Sequence, residues 1–306
     1  MRRLVLALRG AYGVATGAEV TLEANPGTFG PHYLEGLLAA GVSRLSLGVQ
    51  SLDDETLRRL ARTHNAAGAV EAVRLARRAG VPSVSLDLIY GLPWQTLTSW
   101  RDHLRRALDT GPDHVSLYAL MVEEGTPLAT LVARGRWSVP DDDQVADMYE
   151  AALPILAEAG LGHYEVSNWA RPGLASLHNL VYWRNEAYLG FGAGAHSYVD
   201  GRRSWNVRPI EGYVRRIARR EGVVAGEETL ASEATLGETA ALALRLRQEG
   251  IAYERIRARF GVDPRQEWAG VFEELDGTGL LEVDGERARL TDAGLLVSNE
   301  IASRFV

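Results

Sequence analysis

Three hydrophobic strand-like segments end in a polar side chain that can bind: Glu23 in VTLEANPGT, Gln50 in RLSLGVQS and Asp87 in SVSLDLIYGLP. A fourth, HVSLYAL, completes the series. Each is followed by a turn signal and a helical stretch. Acids and amides recurring at such strand ends suit a binding cleft on the carboxyl edge of a parallel sheet. A second constellation is His178 and Tyr182 in HNLVYW, four residues apart and so on one helix face. The bland reading makes Glu23 and Asp87 caps of neighbouring helices, Arg62 a solvated charge, and His178 with its aromatic neighbours a packed staple under a loop.

The elements that position these residues alternate. Strands are expected near 19–24, 42–49, 83–89 and 115–120. Helices lie between them: one from Gly30, one from Ser51 with capping-box spacing to Asp54, one after the N-cap Asn65 running to Gly80, and TLTSWRDHLRRALD. Parallel crossovers need such helix-length connections, so the fold class is α/β with a parallel sheet. Asp141, Asp142 and Asp143 open a further helix, where its dipole favours anions. HYEVSNWARPG reads as a short strand and turn. From about Thr235 three helices and a hairpin around Asp284-Gly285 suggest a winged-helix-like tail.

Composition narrows the chemistry. The chain has 306 residues, a net charge of −7 and no cysteine. Disulfides, thiolate metal sites and cysteine nucleophiles are excluded within it. The acidic balance argues against a nucleic-acid partner, and the would-be recognition helix PRQEWAGVFEELDG has more acids than bases. No apolar run approaches the roughly 20 residues that span a bilayer, so the chain is not expected to be integral to a membrane; the cytoplasmic location expected of it comes with the family resemblance described next. No HExxH or P-loop occurs.

EANPG, SLGVQS, RLART, DLIYGLP and HNLVYW, in that order, resemble the radical S-adenosylmethionine (SAM) proteins related to oxygen-independent coproporphyrinogen III oxidase. Within that group the chain is most similar to the HemW-type heme chaperones. The resemblance implies a partial parallel (β/α) radical SAM-type barrel over 1–135, a connecting region over 136–225 and a C-terminal winged-helix-like domain over 226–306. It places Glu23, Gln50, Arg62 and Asp87 where the family contacts SAM. Carboxylates suit the amino group and ribose hydroxyls of SAM, and Arg62 suits its carboxylate. It marks HNLVYW as the HNxxYW element of the chaperone branch, with His178 as axial heme ligand and Tyr182 and Trp183 against the macrocycle. His196 is the competing ligand; Arg202, Arg203 and Arg208 are candidates for the heme propionates or are simply solvated.

The chain departs from that family in one respect. The CxxxCxxC segment that holds the [4Fe–4S] cluster is absent, as is the GGGTP segment expected after the second barrel strand. The expectation is a fragment, or a gene read from an internal start, lacking two strands and the cluster loop; the alternative is a paralogue that dropped the cluster. Its function is expected to be heme binding and delivery to acceptor proteins. The alternatives are oxidative decarboxylation of coproporphyrinogen III and cluster-free tetrapyrrole binding.

Overall fold

The computed structural model describes residues 2–306, which form two compact units divided after Ala175. The first unit is built on a six-stranded sheet. Its strands are β1 (Thr21–Ala24), β2 (Arg44–Gln50), β3 (Ser83–Tyr90), β4 (His114–Ala119), β5 (Gly162–Glu165) and β6 (Asn168–Ala170), in spatial order β1-β2-β3-β4-β6-β5. The first four are adjacent and parallel, as expected. HYEVSNWARPG forms two strands rather than one: β6 pairs antiparallel with β4, and β5 with β6. Three parallel pairings and a chain of crossover helices make this the open (β/α) arrangement read from the alternating pattern.

Strand alternation divides the sheet into two unlike faces. Leu45, Leu47, Val49, Val84, Leu86, Leu88, Val115 and Leu117 are buried on one face and form the core with the helices. Ala69, Ala72, Val73 and Ala76 supply small residues from the helix Ala66–Arg78, at the i, i+3, i+4, i+7 spacing that puts them on one stripe. Trp100, from the helix Leu97–Leu108, is fully buried, stacks on Tyr90 at 5.5 Å and donates its indole N–H to the Met148 carbonyl at 2.8 Å.

The helix ends follow local chemistry. Asn65 accepts from the Gly68 N–H, and Gly80 leaves that helix with φ of +81°. The capping box expected of Ser51 and Asp54 is not formed. Asp53 is the cap, accepting from the Thr56 N–H, and the Ser51 hydroxyl accepts from the Asp53 N–H instead. Asp is as good a cap as Ser, and Asp53 sits where the chain is still extended.

The second unit, Ser176–Val306, carries the HNLVYW element at its start. The three-part division expected from sequence is a different partition, since 136–225 contributes to both units. The glycine- and aromatic-rich stretch yields an antiparallel sheet of β7 (His196–Val199), β8 (Arg202–Asn206) and β9 (Val224–Thr229). A second sheet joins β10 (Ile251–Ala252), β11 (Leu281–Val283) and β12 (Arg287–Leu290) in the order β10-β12-β11. It accompanies the helices Ser232–Ala243, Tyr253–Phe260, Pro264–Glu267 and Ala269–Gly277, the last two separated at Trp268. This is the winged-helix-like arrangement. Trp268, Phe272 and Phe305 pack together in its core, with ring centroids 5.3 to 6.3 Å apart. No helix among the described residues is long and apolar enough to cross a membrane.

Replacing Trp100 with Ala removes both the stacked ring and the buried hydrogen bond. Urea unfolding should register a loss of about 3–5 kcal/mol; a loss below about 1 kcal/mol would show that this ring does not anchor the core.

Candidate functional site

The sheet face opposite the core carries mostly polar residues, which sets this sheet apart from parallel sheets whose strands are hydrophobic throughout. The β1–β2–β3–β4 register aligns Glu23 with Ser46, Ser46 with Ser85, and Ser85 with His114, and it pairs Asp87 with Ser116. Ser46, Ser85, His114 and Ser116 are all buried. His114 lies between two hydroxyls, Nδ1 with Ser85 Oγ at 2.8 Å and Nε2 with Tyr164 Oη at 2.8 Å. Burial, reinforced by the positive charge of Arg44, holds its pKa well below the usual value, so the ring is neutral.

At the carboxyl edge the polar residues become a cleft. The Ser46 hydroxyl donates to Asp87 at 3.1 and 3.3 Å from its two oxygens, and Ser116 also bonds it. Burial raises the Asp87 pKa, those hydrogen bonds oppose the rise, and the nearby Glu23 charge adds to it. Tyr118, the next residue up β4 on this face, has its phenol pKa raised by burial first and then by Asp87. Glu23 is exposed. Arg62 donates to the Asn25 amide oxygen at 3.2 Å and has no carboxylate within 4.0 Å among the described residues. Gly48 explains how Asn25 and Gln50 fit beside it. A Cβ at Gly48 would stand 3.0 Å from Asn25 Oδ1 and 3.1 Å from Gln50 Nε2. Gln50 itself has φ of +61° and Ala61, just before Arg62, has φ of +53°. Each of these non-glycine left-handed residues costs about 1–2 kcal/mol, and such strain gathers at binding sites.

All four residues expected at this edge, Glu23, Gln50, Arg62 and Asp87, therefore lie there. Glu23 is linked to Asp87 by charge, and Gln50 and Arg62 meet around Gly48 and Asn25. Asn25, Tyr118 and the serines Ser46 and Ser116 were not singled out from sequence. The signal was present in RLSLGVQ, SVSLDLIY and HVSLYA, where polar residues recur at every second position.

In the second unit, Ser176 caps the helix Leu177–Trp183 and Asn185 ends it with φ of +50°. The Asn185 amide donates to Thr239 at 3.0 Å, and Arg184 pairs with Glu249 through its guanidinium fork, so the helix end is fixed from two sides. His178 is exposed on this helix, its ring 4.7 Å from Tyr182. Tyr182 lies 4.7 Å from Tyr188, and Tyr188 lies 6.4 Å from Tyr198. An aromatic ladder thus begins at His178. Tyr182 is 39% exposed, and Leu177, Leu189 and Phe191 are more exposed still. Trp183 faces elsewhere, beneath the Arg245 guanidinium at 5.6 Å. His196 is exposed and stacks on Trp205 at 6.0 Å. Arg203 is held by Glu228 and Glu238, and Arg202 lies 3.5 Å from Glu227. Among the described residues no group of three or more His, Cys, Asp or Glu is placed to hold a metal ion.

The Asp87 carboxyl gives a pH prediction. A pKa raised by burial means a contribution that is fully present below the unfolded value of 3.8 and is lost as pH rises through the folded value. Asp87→Asn should therefore raise the urea midpoint at pH 7, with the gain shrinking towards zero near pH 4. A variant less stable at pH 7 and unchanged at pH 4 would reverse the sign.

The radical SAM superfamily profile matches residues 2–107, and the HemN C-terminal domain profile matches residues 230–297. The heme chaperone HemW of Bacillus subtilis (strain 168) is 35% identical over 289 residues, covering 94% of this chain and 76% of that protein. The heme chaperone HemW of Mycobacterium tuberculosis (strain ATCC 25618 / H37Rv) is 40% identical over 294 residues, covering 96% and 73%. The structure of coproporphyrinogen III oxidase (HemN) from Escherichia coli, described as a radical SAM enzyme, superposes with a TM-score of 0.81 at 23% identity over 99% of this chain and 73% of that one. That superposition establishes a common fold, and the sequence relatives establish the narrower kinship: the chain belongs to the HemW heme chaperone family of radical SAM proteins.

Proposed function

We propose that this protein binds heme through the exposed face that begins at His178 and hands it to acceptor proteins. The carrying observation is the placement of exposed His178 at the head of the His178–Tyr182–Tyr188–Tyr198 ladder; Leu177, Leu189 and Phe191, next to these residues in sequence, are exposed as well. An imidazole supplies an axial ligand, and flat aromatic and aliphatic side chains suit the faces of a macrocycle. A helix end fixed by Arg184 and Asn185 keeps the imidazole in place without burying it. Handing heme on requires such an accessible site. The Trp183 ring belongs to the packing under Arg245, so the reading assigns the macrocycle to His178 and Tyr182 and gives Trp183 a positioning role. The acceptors and a cytoplasmic setting are part of the same proposal. The relatives named as heme chaperones favour it over coproporphyrinogen oxidation.

The carboxyl edge of the sheet is proposed to receive SAM. Glu23 and Asp87 make it anionic, which suits a sulfonium and an ammonium group. Arg62, held among the described residues by the neutral Asn25 alone, is left to pair with the methionyl carboxylate. Gln50, turned by its left-handed backbone, presents an amide beside it. SAM when bound brings its sulfonium; the residues here orient it. The residues present do not fit a [4Fe–4S] cluster, because the 306 residues include no cysteine thiolate. No radical step is therefore assigned to this chain.

Two experiments test these readings. Heme titration followed by the Soret band should give a ligand-specific spectrum for wild type and His196→Ala. His178→Ala should lose it, with binding weakened at least about tenfold, or ~1.4 kcal/mol. Equal spectra and affinities for all three proteins would remove His178 from the site. Anaerobic reconstitution with iron and sulfide should leave this chain without a stoichiometric cluster; four irons per chain with the matching visible absorption would refute the donor argument.

A further inference from the structure

The helix Leu177–Trp183 ends with Arg184 as its C-cap and Asn185 in the left-handed region, so no further turn follows to bond the carbonyls of these two residues. Both carbonyls are taken by side chains from the helix Tyr253–Phe260. Arg255 donates to the Arg184 carbonyl at 3.3 Å and to the Glu186 carboxylate at 2.7 Å. Arg259, one turn on, donates from one terminal nitrogen to the Asn185 carbonyl at 2.8 Å and from the other to the Tyr198 hydroxyl oxygen at 3.2 Å. Arginine suits such a helix end, because its rigid fork reaches two separate acceptors at once.

Tyr198 is the inner end of the aromatic ladder. It is 3% exposed, and its backbone exchanges hydrogen bonds with that of Tyr188 at 2.8 and 2.9 Å. Arg259 therefore joins the two parts that place the imidazole. One is the end of the helix that carries His178; the other is the strand bridge that holds Tyr188 against Tyr182. Both of its partners are neutral oxygens, so its reach matters here more than its charge. Asn185, Tyr198 and Arg259 also line an open cavity of about 640 Å³. Water entering there can replace the guanidinium at either oxygen, so its loss costs orientation more than stability.

We propose that Arg259 is a positioning residue for the heme site: its two-pronged bond fixes the angle at which the helix Leu177–Trp183 presents His178 beside Tyr182. Arg255 secures the same helix end one turn earlier. Both arginines lie in the segment matched by the HemN C-terminal domain profile, which gives that domain a role in heme binding although His178 and Tyr182 lie outside it. The role rests on His178 as the heme ligand, as proposed.

The test compares Arg259→Lys, which keeps the charge but has one nitrogen where two are needed, with Tyr198→Phe, which keeps the ring and removes the acceptor. Arg257→Lys, on the same helix but paired with Asp263, is the control. In heme-free protein the imidazole protons of His178 feel the ring current of Tyr182, 4.7 Å away. Their resonances should move towards those of a free histidine in Arg259→Lys and Tyr198→Phe and stay in place in Arg257→Lys. Thermal midpoints without heme should stay within about 5 °C of wild type. Heme affinity should fall about fivefold in Arg259→Lys, and the double variant with Tyr198→Phe should lose no more, since the two act through one contact. In a His178→Ala background Arg259→Lys should have no further effect. Unmoved His178 resonances, an additive loss in the double variant, or a larger fall in the midpoint would each overturn the positioning role. If His178→Ala itself leaves heme binding unchanged, the heme site fails, while the His178 resonances of heme-free protein still decide whether Arg259 positions the ring.

Discussion

A parallel strand offers two faces, and in β2, β3 and β4 those faces make opposite demands. Leucine and valine at alternate positions hold the sheet to its helices; serine, histidine, aspartate and arginine at the positions between stand on the other side. The two sets are locked together, because a one-residue slip in register would exchange them. Every polar contact at the carboxyl edge depends on this constraint. The register sets Ser46 level with Ser85, so its hydroxyl reaches Asp87 diagonally, two residues further along β3, and Ser116 stands directly opposite Asp87 in the β3–β4 register. Trp100 and the small-residue stripe of the helix Ala66–Arg78 hold the strands in that register, although they stand on the face remote from the site.

The polar face is graded along its length. Glu23, Asp87 and the Tyr118 phenol lie at the carboxyl edge, neutral His114 with its hydroxyl partners lies below, and Arg44 lies at the amino-terminal end. The second unit uses another logic. Its helix Leu177–Trp183 is fixed by buried and charge-paired groups at the carboxyl-terminal end, while His178 and Tyr182 remain on the surface. The first arrangement is a largely buried polar face; the second leaves an imidazole and a phenol at the surface.

Much of this was legible in the sequence, for identifiable reasons. The alternating β–α pattern, the Asn65 cap and the Gly80 exit are local signals and were read correctly. The Ser51 capping box failed because Asp53 competes for the same backbone with equal chemistry. β5 and β6 were condensed into one strand because the two-residue turn between them, Val166-Ser167, carries no glycine or proline to mark it. The strands β7 and β8 were missed although Asp200-Gly201 between them is a hairpin signal, because segments of four and five residues show too little alternation to mark a strand. Asn25 and Tyr118 escaped notice because their role comes from neighbours 37 and 31 residues away, Arg62 and Asp87, which no local pattern reports. The exposure of His178 was also invisible to spacing, since a packed histidine and a presented one share the same i, i+4 signature.

The most direct test of the account is a map of where the macrocycle sits. Isotope-labelled protein can be titrated with gallium protoporphyrin IX, a diamagnetic stand-in for heme, while backbone amide resonances are followed. The account predicts that the largest shifts fall in 177–198, around His178, Tyr182 and Tyr188, with the carboxyl-edge residues Glu23, Gln50 and Asp87 unmoved. Shifts concentrated on β1–β4, with 177–198 unchanged, would contradict it.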